Sequence, residues 1–228
     1  MPSAVILTRP AGENAALAAT LRSHGHDVLE LPCIAAAPLD DDSALAAALR
    51  ALTARDRLVA TSASGAEAIL RTAVPIAAPV ATVGGRAATR LRASGILVDR
   101  TASTGRELGL ALELPEGHVL LARSDRALPD LPATLRARGA EVREVVAYRT
   151  VARVDGDVER AGALASAGAA IVVASPSAFD ALLERLGAGV VARGRVIATG
   201  PTTAAHVRAR TGRPAAVASW DRVGELVR

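Results

Sequence analysis

The chain repeats itself once, and that repeat limits its fold more than any other feature of the sequence. Val5-Ile6-Leu7-Thr8-Arg9, followed by Ala18-Ala19-Thr20-Leu21-Arg22 and Gly25, returns 114 residues later. The echo reads Val119-Leu120-Leu121-Ala122-Arg123, then Pro132-Ala133-Thr134-Leu135-Arg136 and Gly139. Thr61-Ser62-Ala63-Ser64 is matched by Ala174-Ser175-Pro176-Ser177 at an offset of 113, and Val83-Gly84-Gly85-Arg86-Ala87-Ala88 by Thr199-Gly200-Pro201-Thr202-Thr203-Ala204 at 116. Three motifs in one order at nearly one offset are hard to attribute to an Ala-rich composition. The chain holds two similar modules.

Each module alternates short Val/Ile/Leu runs with Ala-rich segments of helical spacing, the pattern of a parallel α/β sheet. Strands are expected at Val5–Leu7, Asp27–Leu31, Arg57–Ala60, Val80–Val83, Val119–Ala122, Val142–Ala147, Ala170–Ala174, Val196–Thr199 and Ala215–Ala218. Helices lie between them and end at Gly25, Gly95, Gly139 and Gly212. With one Phe, one Trp and one Tyr in 228 residues, the core is built of small and branched aliphatics.

The modules are not expected in tandem. Two extended stretches punctuated by Pro or polar residues, Ile34–Leu39 and Val146–Arg153, read as crossings. They divide the chain into an outer lobe of residues 1–34 with 154–228 and an inner lobe of residues 40–146. Residues 35–39 and 147–153 serve as a two-stranded linker.

Composition then removes function classes. All 27 basic residues are Arg. No Lys means no Schiff base and no phosphate-binding P-loop. Cys33 is the sole cysteine, which rules out an intrachain disulfide or a cysteine metal site. Four histidines show only the i, i+2 pair His24/His26 around a turn glycine. The expectation is an enzyme with no metal and no organic cofactor.

The net charge of +4 is all guanidinium and reads as scattered, with several arginines late in helices where they complement the dipole. Near-absence of aromatics argues against a nucleic-acid surface, while an anionic small ligand suits the charge. No signal peptide and no membrane-length apolar run are visible, so a soluble, cytoplasmic monomer with no nucleic-acid or membrane partner is expected.

Every echoed motif falls where a strand ends and a helix begins. Ligands of open parallel sheets bind at that edge, where helix N-termini present unpaired N–H groups. Ordinary capping explains any one of these hydroxyls; their clustering on one edge is what points to binding. Tyr148 stands in an extended segment, and a packed strand ring and a functional phenol remain equal alternatives for it.

The same residues give the chain its resemblance to the uroporphyrinogen-III synthase family. It rests on Thr8-Arg9-Pro10, Thr61-Ser62-Ala63-Ser64, the Gly84 helix start, Val146-Ala147-Tyr148-Arg149-Thr150, Ser175-Pro176-Ser177-Ala178 and Gly200-Pro201-Thr202-Thr203-Ala204. The resemblance implies two flavodoxin-like parallel-sheet lobes joined by a two-stranded linker, one lobe discontinuous in sequence, with the substrate held between them. It implies a lyase that cyclises hydroxymethylbilane, a linear tetrapyrrole with eight carboxylates, to uroporphyrinogen III with inversion of the terminal ring and loss of water.

The family's tyrosine maps onto Tyr148, as donor to the departing hydroxyl, and its threonine onto Thr203, with Thr202 beside it. Its strand-end serines map onto Ser62 and Ser175. Arg9, Ser64, Gly84, Arg123, Ser177 and Gly200 complete the expected substrate-binding set. Ser64, Ala87 and Ser124 depart from the residues common in the family. A non-catalytic tetrapyrrole-binding or regulatory protein on the same scaffold is the alternative, as is a two-lobed binding protein for another small anion.

Overall fold

The computed structural model describes residues 3–153 and 155–227, without the side chain of Asp221. The elements run β1 (Ala4–Leu7), α1 (Ala15–Ser23), β2 (Asp27–Glu30), β3 (Ile34–Ala37), α2 (Ser43–Arg50), β4 (Arg57–Ala60), α3 (Ala63–Arg71) and β5 (Val80–Val83). Next come α4 (Gly85–Ala93), β6 (Val98–Ala102), α5 (Gly105–Ala111), β7 (His118–Ser124), α6 (Asp130–Ala137) and β8 (Glu141–Ala152). The chain continues through α7 (Val158–Ser166), β9 (Ala170–Val173), α8 (Pro176–Leu186), α9 (Ala188–Val191), β10 (Arg195–Ala198), α10 (Pro201–Thr211) and β11 (Ala216–Val217). A 3₁₀ turn at Trp220–Arg222 leads into α11 (Val223–Leu226).

The chain divides into two compact units, Met1–Ala35 with Val151–Arg228, and Ala36–Thr150. In the first, the strand order is β11-β10-β9-β1-β2, and every neighbouring pair is parallel. Alternate residues of each strand face opposite layers, as a pleated strand requires. Ile6, Leu29, Ile171 and Val173 pack with Ala161, Ala165, Phe179, Leu182 and Val207 of α7, α8 and α10. Val5, Leu7, Val28, Val172 and Ile197 face the other way, against Leu17, Ala18 and Leu21 of α1 and Val223 of α11.

The second unit repeats this plan. Its sheet runs β3-β8-β7-β4-β5-β6, parallel from β8 to β6. Leu58, Ala60, Val80, Leu120 and Ala122 pack on α2, α3 and α4, while Val59, Ala81, Val119 and Leu121 pack on α5 and α6. Setting β7 against β1, β8 against β2, and β4, β5, β6 against β9, β10, β11 makes the two strand orders the same. The sequence echo links three of these pairs, β1 with β7, β4 with β9 and β5 with β10. In chain order, however, the second unit starts at its third strand position and is a circular permutation of the first.

Both orders are the flavodoxin-like one, whose reversal point lies between β1 and β9 in one unit and between β7 and β4 in the other. β8 runs unbroken past residue 146, through the segment expected as a crossing, and β3 pairs beside it. β6 was not expected. Its Val98-Asp99-Arg100-Thr101-Ala102 is polar because it forms the exposed outer strand.

Candidate functional site

In the second unit the reversal point is framed by the ends of β4 and β7. Thr61 ties them together, its N–H and hydroxyl both reaching the Ala122 carbonyl. Ser62 follows with extended backbone, φ −165° and ψ 167°, and caps α3 by accepting the Gly65 N–H at 3.0 Å. The same Ser62 Oγ donates to Tyr148 Oη at 2.9 Å.

Tyr148 reaches this edge because of an irregularity in β8. Arg123 is paired with Val146, but the next residue, Ser124, is paired with Tyr148, so one extra residue is inserted on β8. A bulge of this kind re-aims the side chain that follows it. Val145, Ala147 and Tyr148 consequently all pack on the same core face.

The backbone is pinned on the far side as well. Asp125 N–H donates to the Tyr148 carbonyl at 3.2 Å, Thr150 N–H donates to Asp125 Oδ1 at 2.8 Å, and the Ser124 and Thr150 hydroxyls lie 2.6 Å apart. Asp125 escaped the sequence reading, being an ordinary turn residue with no signature, while Thr150 entered it only as the last residue of the Tyr148 motif.

Tyr148 and Ser64 line one hollow of about 640 Å³, together with Arg90, Arg71 and Glu67. Arg71 is held there by a bidentate bond to Asp42, and Arg90 lies 3.4 Å from Glu67. Arg123 is not part of that hollow. It is nearly buried, bonded to Glu144 at 2.5 Å and to the Leu128 carbonyl, and borders a smaller space of about 300 Å³ beside Ser124.

Gly84 starts α4 at φ +84° and ψ 137°, a left-handed conformation that favours glycine, and its N–H donates to the Ala102 carbonyl. Its echo Gly200 does not share that need, since φ −170° and ψ 164° are open to any residue.

The first unit presents the matching edge. Thr8 is buried, with its hydroxyl on the Val172 carbonyl at 2.8 Å. Arg9 is engaged by the Trp220 ring, at 4.4 Å, and by Glu13, at 3.8 Å. Ser175 caps α8 as Ser62 caps α3, and its hydroxyl lies 3.1 Å from that of Ser177. At the start of α10, Thr202 is exposed and Thr203 is buried at 3 % exposure. Asn14, overlooked in the sequence, is buried here; its amide donates to the Arg9 carbonyl while Oδ1 has no partner.

Among the described residues no group of three His, Cys, Asp or Glu is placed to hold a metal. Cys33 is buried, its thiol pushed up to about 12 by desolvation. It stays protonated and is not a nucleophile.

A sequence model of one family, described as uroporphyrinogen-III synthase HemD, matches residues 15–228. The chain belongs to the uroporphyrinogen-III synthase family. As a family member it is an enzyme, a cyclising lyase of tetrapyrrole biosynthesis whose substrate is hydroxymethylbilane.

Solved uroporphyrinogen III synthases share the fold. A mutant form from the extremely thermophilic bacterium Thermus thermophilus superposes with a TM-score of 0.60 at 19% identity, covering 98% of this chain and 95% of that one. The enzyme from Helicobacter pylori gives 0.58 at 20% identity, covering 99% and 98%. The wild-type Thermus thermophilus enzyme gives 0.51 at 21%, covering 99% and 95%. A search of curated protein sequences returned no match.

Proposed function

We propose that the Ser62–Tyr148 pair is the acid of the synthase reaction, and that the strand-end edge of each unit contributes to substrate binding. The observation that carries the reading is the hydrogen-bond chain from Gly65 N–H through Ser62 Oγ to Tyr148 Oη. It places the phenol at the end of a relay that starts in the first turn of α3, where unpaired N–H groups and the helix dipole favour negative charge. A phenol that gives up its proton there leaves an oxygen already accepting a hydrogen bond.

In the proposed sequence, the pyrrole nitrogen of the hydroxymethyl-bearing ring pushes electrons toward the departing group. The C–O bond breaks, the oxygen takes the Tyr148 proton, and water leaves. The electrophilic carbon is attacked by the substituted carbon of the far ring to give a spiro intermediate. That intermediate fragments and recloses with the last ring inverted, and the ring proton then released restores the phenol. No oxidant or reductant is needed, so positioning supplies most of the catalysis.

Carboxylates of the substrate are assigned to the helix starts, with Thr202, which is exposed, and the half-buried Ser64, Ser177 and Gly84 lining them. Thr203 is assigned a hydrogen bond at the start of α10. Arg9 and Arg123 keep a supporting role, since both guanidinium groups are already engaged within the protein. Residues 1–34 with 154–228 and residues 40–146 are taken as the two working lobes. The same reading makes the chain a cytoplasmic monomer without nucleic-acid partners. No helix among the described residues is long and apolar enough to cross a membrane.

The test is incubation with freshly generated hydroxymethylbilane and separation of type III from type I product. Spontaneous closure gives type I, so type I alone at the uncatalysed rate would overturn the proposal.

A further inference from the structure

The strand-end edges do not account for where the arginines fall. Between Glu184 and Asp221 the chain has no acidic residue, yet it carries Arg185, Arg193, Arg195, Arg208, Arg210 and Arg213. Charge that reads as scattered over the full length is concentrated in this stretch. Arg210 is neutralised by Asp180 at 3.0 Å. Arg193, Arg195 and Arg213 instead line a hollow of about 280 Å³ with Val191, Val196 and Val207 on its walls and no acidic side chain in its lining.

This hollow is separate from the candidate site. It adjoins the start of β10, whereas Ser175, Gly200 and Thr203 all follow the carboxyl ends of strands. Its arginines are mounted on fixed backbone. Arg195 N–H donates to the Ala169 carbonyl at 2.9 Å. A Cβ on Gly194, between the two arginines, would lie 2.7 Å from Ile171 Cδ1 and 3.1 Å from the Ala169 carbonyl, so the turn sits hard against β9. Arg213 is anchored by a hydrogen bond from Nη1 to the Ala192 carbonyl.

Arginines often compensate helix C-termini, and Arg213 does so at the end of α9. A helix end carries only about half a charge, and α9 is a single turn. Three arginines around one hollow exceed what the ends of α9 and α10 require.

We propose that this hollow is a binding site for a small polyanion, a phosphate or a compact polycarboxylate. The planar guanidinium fork matches paired anionic oxygens, and the valines accept the body of the ligand. The volume is at or below the small end of ligand pockets, roughly 300–1,000 Å³, too small for a linear tetrapyrrole. The ligand is therefore not the substrate.

Calorimetric titration of the full chain with inorganic pyrophosphate and with citrate, at fixed ionic strength, tests this. Saturable binding of at least one probe is expected, weakened at least about tenfold in Arg193→Gln/Arg195→Gln, since each charged hydrogen bond lost is worth that much. Arg213→Gln, on a different segment, should weaken it likewise. Arg208→Gln, in the same acid-free stretch but outside the hollow, should leave affinity nearly unchanged. Type III synthesis without added anion should be unaffected by Arg193→Gln/Arg195→Gln, so a failed synthase reading would not remove this site. Absence of saturable binding, or equal weakening by Arg208→Gln, would mean only diffuse positive charge and overturn the proposal.

Discussion

Ser62 Oγ lies 2.9 Å from Tyr148 Oη while accepting the Gly65 N–H at 3.0 Å, so one hydroxyl both caps a helix and orients the phenol. Tyr148→Phe should lower kcat and leave product affinity and fold largely intact. General-acid assistance is worth about 10²–10⁴-fold, and the low end or less is expected because the pyrrole supplies much of the push. Ser62→Ala should lose both the cap, about 1 kcal/mol, and part of the rate, whereas Ser62→Thr should recover both. Full activity of Tyr148→Phe with an unchanged pH profile would assign the phenol to packing.

Thr203→Ala should cost less than Tyr148→Phe, because Thr202 and the first-turn amides of α10 remain. Residual activity in either variant should still yield type III product. Isomer-resolved chromatography reads this directly, and a shift toward type I would give Thr203 a part in ring inversion.

Gly84 and Gly200 occupy echoed positions but should respond oppositely to alanine. Neither Cβ would meet a heavy atom within 4 Å, so backbone conformation alone decides. Gly84→Ala forces a side chain to φ +84° and should destabilise by about 1–3 kcal/mol; Gly200→Ala should be nearly neutral. Equal urea midpoints for the two variants would contradict this.

Asp56 joins the turn before β4 to the start of β7. Its Oδ1 accepts the His118 N–H at 2.9 Å and its Oδ2 the Thr53 N–H and hydroxyl at 2.8 and 2.7 Å. Those bonds, the His118 amide first, hold the carboxyl well below the ordinary range. A depressed acid contributes its stability fully above the unfolded pKa, about 3.9, and loses it as pH falls toward the folded value. Urea midpoints should therefore decline below about pH 4 in the natural protein and less steeply in Asp56→Asn, which should be weaker at neutral pH. Gly117→Ala places a Cβ 2.2 Å from Asp56 Oδ1 and should cost about 1–3 kcal/mol through overpacking.

Exhaustive dialysis against a chelator should leave type III synthesis unchanged, as expected of chemistry run by hydroxyls and amides. Loss of activity that one specific metal restores would refute it.

Much of this was readable in the residues because the signals were local. The apolar-rich runs at Arg57–Ala60 and Val80–Val83 coincide with β4 and β5, since strands buried on both faces are mostly apolar; the exceptions are Arg57 at the strand start and Thr82, whose hydroxyl lies 3.1 Å from that of Thr101. The serine and glycine helix starts fell where they did because capping chemistry is carried by one or two residues. β6 was missed because an outer strand needs no apolar run, and the β8 bulge because nothing in Val146-Ala147-Tyr148 marks an inserted residue. Arg123 read as a ligand contact, yet its partners Glu144 and the Leu128 carbonyl are set by how β7, β8 and the turn before α6 meet. Only the folded arrangement shows that.

The permuted order of the second unit has a consequence for how the chain is made. Residues Ala36–Thr150 are contiguous, so every strand of β4 through β8 finds its partners soon after leaving the ribosome. β1 and β2 emerge first, yet β1 is completed by β9, which pairs Val5 with Ala170 and follows the whole inserted unit. Closing that span carries a larger entropic cost than any contact inside the insert. Folding during synthesis is therefore expected to begin in the middle of the chain, with the earliest-made strand, though paired with β2, among the last to be fully secured. Pulse-labelled hydrogen exchange should protect the amides of β4 and β7 before those of β1.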